Sequence, residues 1–330
     1  MSGAVLSAQD LRVYYHTRRG PVKAVDGVTL KLNEGETLGV VGETGCGKST
    51  LAKVILGLLP PRTEVSGSLK LREKELLCLS PAEFRRLRGE ELAIIFQDPM
   101  TRLDPLMSIR EHFVETLRAH ESGLSKKAAS DRAIAVLRSM GIPESRIDDF
   151  PHEFSGGMRQ RIMIAMAIVL RPKVLVADEP TTALDVIVEA QILDILRDLR
   201  RAYSMSLILI THNLGIVAEV CDRTAVMYAG RLAEIGSVAD VFGRPIHPYT
   251  QGLLASTIHL ETRELRSIDG LPPSLLDPPS GCRFHPRCPH AKEICTRDEP
   301  PMVEYRLTPR GRALAPVMEA VRAYAAEAAP

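Results

Sequence analysis

The sequence predicts an α/β fold in which a buried parallel sheet carries helices on both faces. Short apolar runs typical of fully buried strands recur along the chain at 36–41, 92–96, 174–177 and 207–210. Segments with apolar residues at helical spacing lie between them, and 187–201 is the clearest example. This alternation indicates a parallel sheet that is covered on both sides.

The other predicted elements are, in chain order, helices at about 48–58, 106–141 (broken near Gly123) and 155–170, then short strands near 224–228 and 231–235. Beyond about residue 260 no strands are expected, and prolines crowd the segment 271–301. The segment 316–329 is either an alanine-rich helix or a tail. We therefore expect a main α/β unit followed by a small appendage.

Composition limits the class of protein. The chain has 330 residues, more than one typical domain needs. Its net charge of +1 provides no sequence-wide basic field, so no nucleic-acid partner is expected. We expect no secretory signal, and no apolar run has the length that spans a bilayer. If the protein works at a membrane, other chains must supply the membrane part.

A glycine-rich octapeptide follows the first predicted strand. It reads Gly42-Glu43-Thr44-Gly45-Cys46-Gly47-Lys48-Ser49 and fits the pattern G-x-x-x-x-G-K-[ST] between a strand and a helix. Backbone N–H groups of such a loop turn inward around a phosphate, and the helix dipole adds positive potential. Lys48 would bring a charge to the outer phosphates, and the Ser49 hydroxyl suits Mg²⁺. The context disfavours a chance glycine-rich turn, but kinases, GTPases, helicases and transporters all use this loop.

Polar residues follow three further predicted strands. Asp178 and Glu179 lie at the carboxyl end of one strand, where α/β sheets bind ligands. Asp178 is suited to hold Mg²⁺ through water, and Glu179 to polarise an attacking water. Gln97 could contact Mg²⁺ or this water, and His212 could donate to a γ-phosphate. Each residue alone could be a solvated or structural one; their joint order favours a catalytic set.

The segment Phe154-Ser155-Gly156-Gly157-Met158-Arg159-Gln160-Arg161 precedes the Asp178 strand. A Ser-Gly-Gly helix start offers free N–H groups to an anion, although it also suits a simple serine cap. The segment resembles the signature of ABC transporter ATP-binding subunits (consensus LSGGQ), with Met158 in place of the usual Gln. With it the chain resembles that family over about residues 6–256.

The resemblance implies a P-loop ABC ATPase domain at 1–258, with a mixed sheet core and a helical subdomain at about 98–170. It implies that Tyr15 stacks on adenine, with Tyr14 as the alternative. It makes Gln97, Glu179 and His212 the catalytic set, and Ser49, Gln97 and Asp178 the Mg²⁺ ligands. The implied nucleotide contacts are the octapeptide, Thr50, Ser155, Gly156, Gly157, Met158 and Asp185, the last in the D-loop-like Ala183-Leu184-Asp185.

The same resemblance implies partners and a location. In this family two ATPase subunits pair head to tail, and MgATP lies between one P-loop and the other signature helix. A second ATPase subunit is therefore expected, either a copy or, more typically, a paralogue. Two transmembrane permeases would dock on the helical subdomain, and a substrate-binding protein would act indirectly. The subunit would be peripheral, at the cytoplasmic face of the cell (inner) membrane.

Three segments narrow the resemblance to oligopeptide/dipeptide importers, namely 97–105, 247–250 (His-Pro-Tyr-Thr) and 281–289 (Gly-Cys-Arg-Phe-His-Pro-Arg-Cys-Pro). They assign residues 259–330 to the C-terminal region of that subfamily. Relatives import peptides, and some import nickel or glutathione. An ATPase subunit does not touch its cargo, so the cargo stays open.

Three of the six cysteines, Cys282, Cys288 and Cys295, lie close together in this C-terminal region. In a reducing compartment they would be thiols or ligands rather than disulfides. Subfamily members carry a four-cysteine 4Fe-4S site here, but no cysteine follows Cys295 in this chain. A cluster completed by His285 or His290, a zinc site, and metal-free thiols all stay open.

Three rival interpretations explain less of the sequence. A soluble ABC ATPase of translation or DNA repair usually has two ATPase units or a long coiled coil, whereas this chain has one P-loop. An exporter half requires a membrane span. A P-loop kinase or GTPase leaves the Ser155 segment and His212 unexplained. We therefore predict an ATP-hydrolysing subunit that energises an ABC importer, with di- or oligopeptides as the predicted cargo.

Overall fold

The computed structural model describes residues 3–97, 102–182, 184–256 and 267–305. The strands are β1 (Ala4–Thr17), β2 (Gly20–Asn33), β3 (Thr37–Val41), β4 (Thr63–Leu71), β5 (Lys74–Glu75), β6 (Leu92–Ile95), β7 (Val174–Asp178), β8 (Ser206–Ile210), β9 (Arg223–Tyr228), β10 (Arg231–Ser237) and β11 (Val303–Glu304). The α-helices are α1 (Lys48–Ile55), α2 (Pro81–Glu90), α3 (Ile109–His120), α4 (Lys126–Ser139), α5 (Gly156–Ile168), α6 (Val186–Tyr203), α7 (Leu214–Val220), α8 (Val238–Gly243) and α9 (Pro248–Ala255). Short 3₁₀ turns lie at Glu144–Arg146, Pro151–Glu153, His285–Arg287 and Glu293–Thr296.

The larger sheet has the order β11-β10-β9-β3-β8-β7-β6. Its pairs from β6 to β9 are parallel, whereas β10 runs antiparallel to β9, so the sheet is mixed as predicted. Every residue of β3, β7 and β8 is buried, which explains why these strands are apolar without alternation. The parallel register brings the ends of β3, β6, β7 and β8 to one edge, where the candidate site lies.

A second, antiparallel sheet has the order β2-β1-β4-β5. The sequence analysis did not predict it. The second half of β2 alternates buried Val28, Leu30 and Leu32 with exposed residues, because one face packs on the core and the other meets solvent. This period-two pattern was the signal that could have revealed the sheet.

The segment predicted as a helical subdomain contains α3, α4 and α5. The predicted break near Gly123 is confirmed, because α3 ends at His120 and α4 starts at Lys126. Ser108 and Glu111 form a capping box at the start of α3, and Ser125 caps α4, so each helix has its own start signal. Phe113, Leu117, Leu137 and Ile164 join α3, α4 and α5 in one core.

The C-terminal region packs on the edge of the larger sheet. The expectation that strands end near residue 260 is wrong in one detail, because Val303 and Glu304 pair in parallel with Glu234 and Ile235 of β10. Phe284, only 2% exposed, packs edge-on against the rings of Tyr228 and Tyr249. The C-terminal region is therefore joined to the larger sheet by a strand pair and an aromatic cluster.

Some predicted features lie outside the described residues. They are the segment 98–101, Ala183, the first part of the appendage at 257–266, and everything from 306 onward, including the segment 316–329. Helix α1 ends at Ile55, three residues earlier than the sequence suggests, because the chain turns at Gly57 with a positive φ. Among the helices of the described ranges, none has the length and apolar character needed to cross a bilayer.

Candidate active site

The glycine-rich loop joins β3 to α1, and two of its glycines have no substitute. Gly42 has a φ of 149°, and a Cβ there would lie 2.0 Å from the carbonyl oxygen of Met227. Gly47 has a φ of 111°, and its Cβ would lie 2.1 Å from the carbonyl oxygen of Ala24. Any side chain at these positions would collide with backbone, so the loop adopts this path only with glycine.

Lys48 lies at the first position of α1 and points into the loop. Its ammonium donates to the carbonyl oxygens of Gly42 at 2.7 Å and Glu43 at 3.1 Å, and the residue is only 6% exposed. These neutral acceptors hold the charge without neutralising it, so an anion in the loop would compete well for the ammonium. Cys46 is buried beside it, and burial raises the pKa of its thiol, so it is no nucleophile.

The loop forms one wall of an open cleft of about 610 Å³. Three residues predicted from separate parts of the chain, Gln97, Glu179 and His212, line the same cleft. The cleft is lined by Ala24, Gly42, Glu43, Thr44, Gly45, Gly47, Lys48, Ser49, Thr50, Gln97, Glu179, His212, Leu253 and Leu275. Its size and its polar lining suit a charged ligand of small-molecule dimensions.

Ser49 lines the cleft, and its side chain contacts Asp178. The Ser49 hydroxyl donates to Oδ1 of Asp178 at 3.2 Å. Burial raises the pKa of Asp178, the Ser49 hydrogen bond opposes the rise, and the charge of Glu179 adds to it. A hydroxyl and a carboxylate offer hard oxygen donors, so these two residues fit a Mg²⁺ ion. The Gln97 amide does not join them.

Gln97 contacts Glu179 instead. Its Nε2 donates to Oε2 of Glu179 at 3.0 Å, and the same oxygen accepts from Thr182 Oγ1 at 2.9 Å. His212 Nδ1 lies 3.5 Å from Oε1 of Glu179. Glu179 has a φ of 49°, a strained conformation for a residue with a side chain, and its N–H donates to Ile210 O at 2.8 Å. The strain and three neighbours fix one carboxylate toward the cleft.

Thr182 is a site residue that the sequence analysis missed. It stands three residues after Glu179, at a spacing that lets a hydroxyl reach back to a carboxylate across a turn. The local signal was therefore the Thr-Thr pair that follows Asp178-Glu179-Pro180.

The two tyrosine alternatives separate on opposite faces of β1. The Tyr15 hydroxyl donates to Thr50 Oγ1 at 3.2 Å, which places the ring beside the first turn of α1. Tyr14 donates to Asp26 instead, within an ion-pair network with Arg231 and Arg283. Adjacent strand residues point to opposite faces, so only Tyr15 lies next to the loop.

Comparison with known proteins identifies the family of the chain. The ABC transporter family matches residues 25–182, and the oligopeptide/dipeptide transporter C-terminal region matches residues 233–295. The chain is 49% identical over 302 residues to the dipeptide transport ATP-binding protein DppD of Bacillus subtilis, covering 90% of each chain. The chain belongs to the ABC transporter family. This ABC protein is accordingly an ATPase, with ATP and Mg²⁺ as its cofactors.

Further relatives of this ABC protein agree with that assignment. The oligopeptide transport ATP-binding protein OppD of Salmonella typhimurium is 48% identical over 303 residues, covering 91% of this chain and 90% of the relative. Among solved structures, CbiO1 of Clostridium perfringens, part of the CbiONQ ABC transporter complex, has 29% identity and a TM-score of 0.62, covering 73% and 91%. The ADP- and Pi-bound dimer of the cassette MJ0796 has 24% identity and a TM-score of 0.64, covering 71% and 98%, and supports the fold.

The signature segment of this ABC protein forms a separate surface. Ser155 caps α5 and accepts from the Met158 N–H at 3.4 Å, and Asp185 caps α6 and accepts from the Val188 N–H at 3.0 Å. Ser155, Gly156, Gly157, Met158 and Asp185 do not line the cleft. A Cβ on Gly157 would lie 2.6 Å from Val188, so this glycine lets α5 and α6 pack closely.

The three clustered cysteines are not grouped as metal ligands in the part of the chain that the structure describes. Cys282 is buried, and its N–H donates to Cys295 O at 2.9 Å. His285 Nδ1 donates a hydrogen bond to the Cys282 carbonyl oxygen at 2.9 Å. Burial raises the pKa of the Cys282 thiol. Within the part of the chain that the structure describes, no three His, Cys, Asp or Glu side chains are grouped to hold a metal ion.

Proposed function

We propose that this subunit binds and hydrolyses MgATP in the cleft and thereby energises the import of di- or oligopeptides. One observation carries the chemical part of the proposal. A single cleft is lined by residues from four separate segments, namely Lys48 and Ser49, Gln97, Glu179, and His212. Asp178 contacts Ser49 through a hydrogen bond. The relatives named as dipeptide and oligopeptide transport ATP-binding proteins support the peptide cargo over nickel or glutathione.

The residues divide the chemistry between them. When ATP binds, the Lys48 ammonium donates to phosphate oxygens instead of to the carbonyl oxygens of Gly42 and Glu43. Mg²⁺, held by Ser49 and through water by Asp178, would offset charge on the phosphates. Glu179 accepts a proton from the attacking water and orients it. Gln97 and His212 contact Glu179 and hold it for this task, and Tyr15 provides the adenine face beside Thr50.

The separate signature surface supports a head-to-tail pair. Ser155, Gly156, Gly157, Met158 and Asp185 would complete the cleft of a second subunit, either a paralogue or a copy of this chain. Val186 and Ile187, which follow Asp185, are 81% and 73% exposed, as large apolar residues at a subunit interface would be in a lone chain.

The remaining proposals concern the rest of the transporter. Two permeases dock on the helical subdomain at about 98–170, where Leu106 is 84% exposed, and a binding protein delivers the cargo. The subunit then lies at the cytoplasmic face of the membrane. We divide the chain into an ATPase domain at 1–258 and a C-terminal region at 259–330. In that region Cys282, Cys288 and Cys295 act as reduced, metal-free thiols rather than as a 4Fe-4S or zinc site.

One purification tests the transport proposal. The chain is tagged, native membranes are solubilised gently, and the co-purifying proteins are identified. Two multi-spanning proteins and a second P-loop ATPase are the expected result. Recovery with ribosomes or DNA-repair factors, and without membrane proteins, would instead support a soluble ABC ATPase and remove the transport role.

A further inference from the structure

The phosphate-binding loop is held from outside by the C-terminal region. Arg287 lies in the Cys-rich segment, 244 residues after Glu43 of the loop. Its Nη1 and Nη2 donate to the two carboxylate oxygens of Glu43 at 2.7 and 2.9 Å, a two-pronged ion pair. The Arg287 side chain is 6% exposed and that of Glu43 23%, so solvent screens this pair far less than a surface pair.

Arg287 is itself held rigidly. Its Nε donates to Asp269 O at 2.9 Å, and its Nη2 donates also to Ile268 O at 3.2 Å. Its Nη1 reaches the Tyr228 hydroxyl at 3.3 Å. A guanidinium with this many fixed acceptors presents its fork in one direction only. It therefore positions the carboxylate that it binds.

A second contact from the same side holds the backbone of Glu43. The Glu43 N–H donates to the Tyr249 hydroxyl at 2.9 Å, and Tyr249 is fully buried. On the inner side, the Glu43 carbonyl accepts from Lys48 at 3.1 Å. When Lys48 turns to a phosphate, it gives up this inner contact. The Glu43 carbonyl keeps a backbone hydrogen bond from the Cys46 N–H at 3.3 Å, and the contacts from Arg287 and Tyr249 hold the residue from outside the loop.

We propose that Arg287 is a positioning residue for the ATP site, keeping the loop in its phosphate-binding shape before nucleotide arrives. The proposal rests on the function proposed above. Loss of the ion pair lets the loop adopt other conformations. The apparent affinity for ATP then falls in proportion to the fraction of molecules whose loop still has the phosphate-binding conformation. Bound nucleotide restores the shape, so the turnover number at saturation changes little.

The test is Arg287→Met in the full chain, purified with its partners, with ATP hydrolysis measured across ATP concentrations. We expect KM to rise about tenfold, as coupling energies of contacting charged residues suggest, with kcat within about twofold of the wild type. Arg297→Met is the matched control, because Arg297 is 70% exposed and pairs with Glu293 away from the loop. It should leave both constants unchanged.

A purely structural role for Arg287 would give a different result. Partial unfolding would reduce the active fraction, lowering the apparent kcat with KM unchanged, and that outcome overturns the proposal. If Arg287→Met does not fold, Arg287→Lys keeps the charge but loses the fork, and it should still raise KM. Glu43→Gln combined with Arg287→Met should be no worse than the poorer single variant, because both remove the same contact.

Calorimetric titration with ATP separates this proposal from the proposed function. If the wild-type chain binds no ATP, the function itself fails. If the wild type binds, Lys48→Ala does not, and Arg287→Met binds with wild-type affinity, the function stands and the positioning role is overturned.

Discussion

Gln97 donates its side-chain amide to Glu179 across 82 residues of sequence, at 3.0 Å. The contact exists because β6 and β7 pair in parallel, so that the residues following Ile95 and Asp178 emerge at the same edge of the sheet. Gln97 immediately precedes the segment 98–101 that leads into the helical subdomain. The carboxylate proposed to activate water is thus in direct contact with the entry to the subdomain proposed to dock the permeases.

Glu179→Gln should abolish turnover while preserving ATP binding. The amide keeps the shape of the side chain but cannot accept a proton from water, so hydrolysis should fall by about 100-fold or more. Steady-state phosphate release measures this, and size-exclusion chromatography with ATP should show a stable dimer. Glu219→Gln, an exposed acid 64% accessible on α7, is the control and should hydrolyse normally. Undiminished phosphate release from Glu179→Gln would remove the role assigned to this residue.

Lys48→Ala should weaken ATP binding by at least about tenfold, because a charge-assisted contact to the phosphates is lost. Isothermal calorimetry gives the dissociation constant directly. Lys53→Ala is matched, since Lys53 lies on the same helix but points to solvent. Equal affinities for Lys48→Ala and the wild type would refute the phosphate-loop interpretation.

Two neighbouring glycines of the signature should respond differently to alanine. Gly157→Ala places a Cβ 2.6 Å from Val188, so the free energy of unfolding should fall by about 1–3 kcal/mol. Gly156→Ala meets nothing closer than Leu184 at 3.9 Å and should leave stability unchanged. Gly156→Ala should nevertheless reduce hydrolysis, because the phosphates of the ATP bound to a second subunit would lie against this position. Thermal melts and ATPase assays on both variants test the pair, and full activity of Gly156→Ala would contradict the head-to-tail arrangement.

Asp26 should make stability depend on pH in the acid range. Burial alone would raise the pKa of Asp26, but the Tyr14 hydrogen bond and the charges of Arg283 and Arg231 outweigh it and hold the pKa below its ordinary value. A carboxyl whose pKa is lowered by folding stabilises the folded state at pH values above its unfolded-state pKa of about 3.9. This contribution is lost as the pH falls through the pKa of the folded state.

Asp26→Asn should therefore be less stable than the wild type at pH 7, and its stability should decline less as the pH falls below about 4. Denaturant unfolding followed by circular dichroism over this range measures the difference. Asp198→Asn, an exposed change on α6, should follow the wild-type profile. Parallel profiles for Asp26→Asn and the wild type would show that the ion-pair network adds no pH-dependent stability.

Much of the larger sheet was predictable, because its strands are buried on both faces and read as apolar runs. The antiparallel sheet was not predicted, since β1 and β2 are only half buried and their signal is a weaker alternation. The position of Tyr15 relative to Tyr14 could not be derived either. Neighbouring strand residues carry the same chemistry, and only the face that packs on α1 distinguishes them.

By itself, the sequence was enough to predict the family, which is confirmed, and to name the candidate residues of the ATP site, which stay predictions. The glycine loop, the acids after β7 and the signature depend on local backbone geometry and residue chemistry, which a linear pattern records. Only the tertiary structure decided that Thr182 contacts Glu179 and that Arg287 forms an ion pair with Glu43. It also decided that the cysteines of the described ranges are not grouped to hold a metal. The two contacts are between side chains, one pair of them far apart in the chain. The Thr182 contact is local and depends on the turn after β7, whereas the Arg287 contact depends on how the C-terminal region packs against the sheet edge, which no local pattern encodes.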